Sequence, residues 1–173
     1  MYKCYQNNIV SGAESFSPLW IISENLLYLF IWILAGYLLA PVWKPFGLPL
    51  LTVIWIVVVV TVQILLKKHN CSGCYYYDKW CHLGWGKIAS TLFEQNSGNP
   101  ETGMKLSLFY VMSPPLIFII SLGFTIINTP GWFYWFWLAL FTILNVITFP
   151  VRKKGCSRCA MRETCPGSAV KSG

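Results

Sequence analysis

Six cysteines of this chain fall into two short clusters of nearly the same design. KKHNCSGCYYYDKWCHLGWG, at 67–86, sets Cys71, Cys74 and Cys81 behind a basic pair, and RKKGCSRCAMRETCPGS, at 152–168, sets Cys156, Cys159 and Cys165 behind a basic triplet. Cys-x2-Cys suits metal binding because a tight turn brings two sulfurs to one side while backbone N–H groups face them. A third cysteine six or seven residues later can fold back onto the same centre. Three thiolates are one short of the four that zinc or a cubane iron–sulfur cluster takes. The chain has two histidines, His69 and His82, both flanking the first cluster, and a seventh cysteine, Cys4; these are the candidates for additional ligands. Two tetrahedral zinc sites, a site completed by Cys4, and a single ribbon-like site of Cys71, Cys74, Cys156 and Cys159 all satisfy this inventory. Reduced, unliganded cysteines would leave the twice-used spacing unexplained.

The tail segment CSRCAMRETCP, Cys156-x2-Cys159-x5-Cys165-Pro, resembles the Cys-x2-Cys-x5-Cys segment of the [4Fe–4S] sites in RecB-type iron–sulfur nucleases and in the auxiliary-cluster domains of some radical enzymes. The resemblance covers eleven residues and implies a metal type, not an activity. The first cluster departs from it by one residue and by its aromatic filler, Tyr75, Tyr76, Tyr77 and Trp80.

The elements that must position these clusters are apolar. Hydrophobic residues make up 55% of the 173 and charged ones only 11%, against roughly 25% charged in soluble proteins. Four long apolar blocks predict transmembrane helices at about 24–43, 48–66, 107–128 and 131–150, each near the ~20 residues needed to cross the hydrocarbon. Continuous apolar runs exclude alternating barrel strands. The fold class expected is an all-α integral membrane protein with two helical hairpins in pseudo-two-fold repeat, each followed by a cysteine knuckle. The first hairpin and knuckle occupy 1–86, with the knuckle at 69–84; an interfacial segment and linker fill 87–105; the second hairpin and knuckle occupy 106–173, with the knuckle at 153–168. The starts of the two Cys-x2-Cys units lie 85 residues apart (156 − 71). The opening MYKCYQNNIVSGAESFSP lacks the basic start and apolar core of a signal peptide, so the first helix is expected to stay in the mature protein.

Twelve of the thirteen Lys and Arg residues, all but Lys44, fall on the side of the cysteines. The positive-inside rule then puts both termini and all cysteines in the cytoplasm, in a prokaryotic-type inner or plasma membrane. Thiols there stay reduced, which favours metal over disulfides. The net charge of +7 reads as topology and attraction to anionic lipid; the basic residues hug helix ends, and no nucleic-acid partner is expected.

Other residues carry weaker signals. Glu24 and Asn25 are expected at the headgroups or in a cap. Gln63 and Asn145 are expected to bond between helices. Ser113-Pro114-Pro115 should kink or unwind the third helix, and a broken helix would suit transport. Trp132, Trp135 and Trp137 read as an aromatic belt. The segment 84–96 is expected to form a short interfacial helix that dips Trp85, Ile88, Leu92 and Phe93 into lipid. No Walker loop, nucleophile elbow or His-Glu-x-x-His motif occurs, which argues against independent catalysis. The leading expectation is a membrane-anchored iron–sulfur protein that exchanges electrons with a membrane or cytoplasmic partner. Structural zinc knuckles in a docking protein form the first alternative and a small transporter or metal handler the second. The bilayer, a redox or docking protein and a second copy of the chain are the candidate partners.

Overall fold

A computed structural model describes residues 9–165 and 167–170; Cys4 lies outside the described residues. Among these the chain is helical, with no strand beyond one isolated bridge. Four helices are long and apolar enough to cross a membrane.

Helix α1, Pro18–Leu39, begins earlier than hydropathy predicts. Ser17 caps it by accepting from Trp20 N–H at 3.4 Å, and Pro18 suits its first turn. It stops at Leu39 because Pro41 cannot continue the ladder. A link through the single 3-10 turn Pro45–Gly47 leads to α2, Leu50–Leu66, which runs on through a π turn, Lys67–Cys71. The short helix α3, Trp85–Leu92, follows Gly84, whose φ of 71° admits glycine at little cost.

Helix α4, Pro100–Asn128, also begins earlier than predicted, because Asn99 accepts from the N–H groups of Glu101 and Thr102. Pro114 and Pro115 do not unwind it; the helix runs uninterrupted through both. Helix α5, Trp132–Ser157, passes its predicted end at Pro150 and carries Cys156 in its last turn.

Helix α1 packs against α2, α4 and α5, while α4 packs against α2 and α5. Ile31, Leu34, Ala35, Leu38 and Leu39, a face with helical spacing, bury themselves against Ile117, Tyr134, Leu138 and Phe141. Lipid tails are as apolar as leucine, so packing and polar bonds must hold such helices together. Three side chains meet backbone carbonyls of α1: Tyr134 Oη donates to Leu38 at 2.7 Å, Thr52 Oγ1 to Gly36 at 2.8 Å and Trp55 Nε1 to Trp32 at 3.1 Å. Each contributes about 0.6 kcal/mol on the scale of interhelical bonds in bilayers. Gln63 bonds to the Tyr110 hydroxyl, tying α2 to α4 as expected. Asn145 instead donates to Phe141 of its own helix at 2.8 Å; a carbonyl four residues back is always within reach of such a side chain. The outer surface is apolar, with Leu19, Ile33, Ile119, Ile127 and Phe149 exposed. Trp132 and Trp135 are exposed as a belt requires, whereas Trp137 packs edge-on against Tyr37.

Candidate functional site

The two cysteine segments share a backbone design. Cys71 ends the π turn after α2 and Cys156 lies in the last turn of α5. In the first segment Cys74 N–H donates to the Cys71 carbonyl at 3.2 Å, Tyr77 N–H to Cys74 at 3.0 Å and Gly84 N–H to Cys81 at 2.8 Å. In the second, Cys159 N–H donates to Cys156 at 3.0 Å, Arg162 N–H to Cys159 at 3.3 Å and Ser168 N–H to Cys165 at 3.1 Å. Each of the six cysteines thus offers its carbonyl to the residue three ahead. The second sulfur of each pair also accepts a backbone N–H, from Tyr76 to Cys74 and from Met161 to Cys159.

Packing then brings the segments together. Cys71, Cys74, Cys81, Cys156, Cys159 and Cys165 all line one cavity of about 140 Å³, together with His82. Tyr76, 1% exposed, joins its two halves. Its hydroxyl donates to the Ala13 carbonyl and accepts from Ala160 N–H at 3.1 Å. The segment ahead of α1 closes over both cysteine segments: Ala13 N–H donates to Arg158 at 2.8 Å, Val10 N–H to Ala160 at 3.1 Å and Phe16 N–H to Trp80 at 3.0 Å. The approach at Gly12 admits no side chain, since a Cβ there would fall 2.5 Å from Ala160 N.

The thiols stand around the wall of this chamber. Among the described residues no group of three or more His, Cys, Asp and Glu side chains is disposed to hold a metal ion. Burial pushes the Cys74 thiol well up from its ordinary value, with Cys71 and Cys165 adding to the rise. Burial likewise pushes Cys159 up to about 11, against the Met161 N–H that favours its thiolate.

Of the histidines, only His82 faces the chamber. His69 lies away from it and accepts Asn99 N–H through Nδ1 at 2.9 Å, which ties the end of α2 to the start of α4. Glu24 departs from expectation. It is 2% exposed, accepts from Trp20 Nε1 at 3.0 Å and lies 3.0 Å from His82 Nδ1. Asn25 is also drawn inward and donates to Leu83 O at 3.0 Å. The partner for both comes from the first cysteine segment, which hydropathy along α1 does not register. Burial works against charge on His82, but the hydrogen bonds its ring N–H groups donate to the Cys156 sulfur and the Glu24 carboxylate hold its pKa up at about 10.

Tyr28, Tyr110 and Arg152 also line the chamber and were not singled out by the sequence. Glu24 and Tyr28 are four residues apart in α1, on the face that continues to Ile31 and Ala35; that spacing was the available signal. Arg152 Nη2 donates to Gly167 O at 2.6 Å and so holds the tail against the end of α5. Trp85 turns to the chamber and Tyr110 rather than to lipid, while Ile88 and Leu92 of α3 remain exposed as expected.

No family model, curated protein or solved structure matches this chain.

Proposed function

We propose that this is a membrane-anchored iron–sulfur protein, with Cys71, Cys74, Cys81, Cys156, Cys159 and Cys165 as the thiolates of a centre beneath the helix bundle, and that it exchanges electrons with a partner. The observation that carries the reading is that six cysteines from segments 85 residues apart line a single cavity. A cubane offers four irons, each taking one thiolate, and so suits sulfurs spread around a wall. Zinc needs four donors at about 2.3 Å from one point. The matching backbone bonds of the two segments support the internal repeat, and the closed packing of α1, α2, α4 and α5 accommodates a two-fold arrangement. The basic residues flanking the knuckles support a cytoplasmic chamber. His82, bonded to the Cys156 sulfur, would tune that ligand, since hydrogen bonds to sulfur shift cluster potentials.

The Glu24–His82–Cys156 line favours a second reading, because carboxylate, imidazole and thiol in series is also how a nucleophilic cysteine is activated. A lone nucleophile would leave the other five chamber thiols without a role.

The test is elemental and spectroscopic. Protein purified without oxygen in detergent should be brown, absorb broadly near ~400 nm and hold about four or about eight irons with matching sulfide. Cys159→Ser should lower that absorbance. Stoichiometric zinc in a colourless protein moves the answer to structural knuckles; no metal, with selective alkylation of Cys156, moves it to thiol chemistry.

A further inference from the structure

A second cavity, of about 270 Å³, lies within the helix bundle and borders the thiol chamber. The two share Tyr28, Tyr110 and Arg152 in their walls. The rest of the second cavity is built from spanning helices, with Trp32 of α1, Trp55 of α2 and Phe141 of α5 among its rings. Trp32 and Tyr110 lie 6.4 Å apart at their centroids. Polar groups are few: Tyr28, Tyr110 and Arg152 at the border with the chamber, and Ser113, Asn145 and Thr148 elsewhere.

Pro114 and Pro115 also line it, as do Tyr110 and Val111. In a helix the carbonyls of Tyr110 and Val111 would receive N–H bonds from positions 114 and 115, and proline has none to give. The one place where α4 forgoes two ladder bonds is therefore a cavity wall. A site with this character, at hydrocarbon depth, takes a flat lipid-soluble molecule with polar atoms on its ring. Aromatic faces stack on such a ring, Arg, Asn and Tyr donate to carbonyl oxygens, and carbonyls short of donors accept from hydroxyls. A quinone presents the first set of polar atoms when oxidised and the second when reduced.

We propose that this cavity is a membrane-quinone site, in which a benzoquinone or naphthoquinone headgroup lies against Trp32, Trp55 and Tyr110 and exchanges electrons with the neighbouring chamber across the shared wall. The electron route rests on the iron–sulfur reading; the binding chemistry does not. Reduction adds two electrons and two protons, converting both ring C=O groups to C–OH. The electrons arrive singly from the centre, which a soluble one-electron flavin or iron–sulfur carrier protein recharges, and the protons come from water on the chamber side. Oxidation of the quinol reverses each transfer.

The experiment titrates the full-length protein in nanodiscs with a short-chain benzoquinone and reads tryptophan fluorescence, with iron per chain measured on the same sample. Saturable quenching is expected. Asn145→Leu, close in volume, should weaken binding at least tenfold. Ser113→Phe, which fills the cavity, should abolish saturation while a thermal melt shows the fold retained. Quenching that rises linearly with added quinone and is equal in wild type and both variants overturns the quinone site. If the protein holds iron in that case, the site alone falls; saturable binding by protein without iron overturns the electron route and the iron–sulfur reading with it.

Discussion

Glu24 and His82, 58 residues apart, form a buried ion pair in which the carboxylate lies 3.0 Å from Nδ1 and its side chain is 1% exposed. The same imidazole is bonded to the Cys156 sulfur, so one side chain fastens α1, the first cysteine segment and the end of α5. Taking charges out of water is costly, and such a pair persists only because each charge satisfies the other.

Removing one partner should therefore cost more than the pair contributes. Glu24→Gln is expected to destabilise the protein by about 3 kcal/mol, read as a lowered melting temperature in detergent. Glu101→Gln, an exposed first-turn residue of α4, is the control, with an effect of about 0.5 kcal/mol. Equal losses from the two variants would show that Glu24 is not an ion-pair partner.

The pair also sets a pH dependence for the metal-free protein. The folded pKa of His82, about 10, is raised above its ordinary 6.5, so the folded state binds the proton more tightly than the unfolded state. Its stabilisation is fully present below pH 6.5 and is lost as pH rises towards 10. Melting temperature should fall across that window in wild type and fall less in Glu24→Gln. Parallel curves would sink the linkage.

Tyr76 joins the two cysteine segments through its hydroxyl, with bonds to Ala13 and Ala160. Tyr76→Phe removes that group and leaves both partners without it, at about 1–3 kcal/mol. Alkylation of cysteines should then speed up in both segments. Faster alkylation at 71–81 alone would mean that the segments are not coupled through this residue.

Gly86 abuts the turn at Tyr76, and a Cβ there would fall 1.9 Å from the Tyr76 carbonyl oxygen. Gly86→Ala is expected to displace the first cysteine segment and to lower metal content or raise thiol exposure. Gly123→Ala, with nothing within 4 Å, should be neutral or stabilising by up to ~1 kcal/mol. A metal content in Gly86→Ala equal to wild type would contradict the close approach.

Topology is tested at Phe46, fully exposed in the link between α1 and α2. In intact cells a membrane-impermeant maleimide should label Phe46→Cys and leave wild type unlabelled. Labelling of wild type from outside would reverse the orientation and return disulfides to consideration.

Much of the architecture was legible locally. Apolar runs near 20 residues name spanning helices because a helix in lipid satisfies its own backbone, and the paired Cys-x2-Cys units mark two segments that make the same short-range backbone bonds. Helix ends were less legible. Pro18, Asn99 and Ser157 lie outside the apolar blocks, where capping and continued hydrogen bonding rather than hydropathy set the boundary. The site was the least legible part. That Glu24 meets His82, that all six cysteines share one chamber, and that Tyr28, Tyr110 and Arg152 separate it from a second cavity all depend on which helix faces pack together. Spacing along a chain records the short-range bonds that make helices and turns; pairing between residues 58 or 85 positions apart is set only when the helices dock.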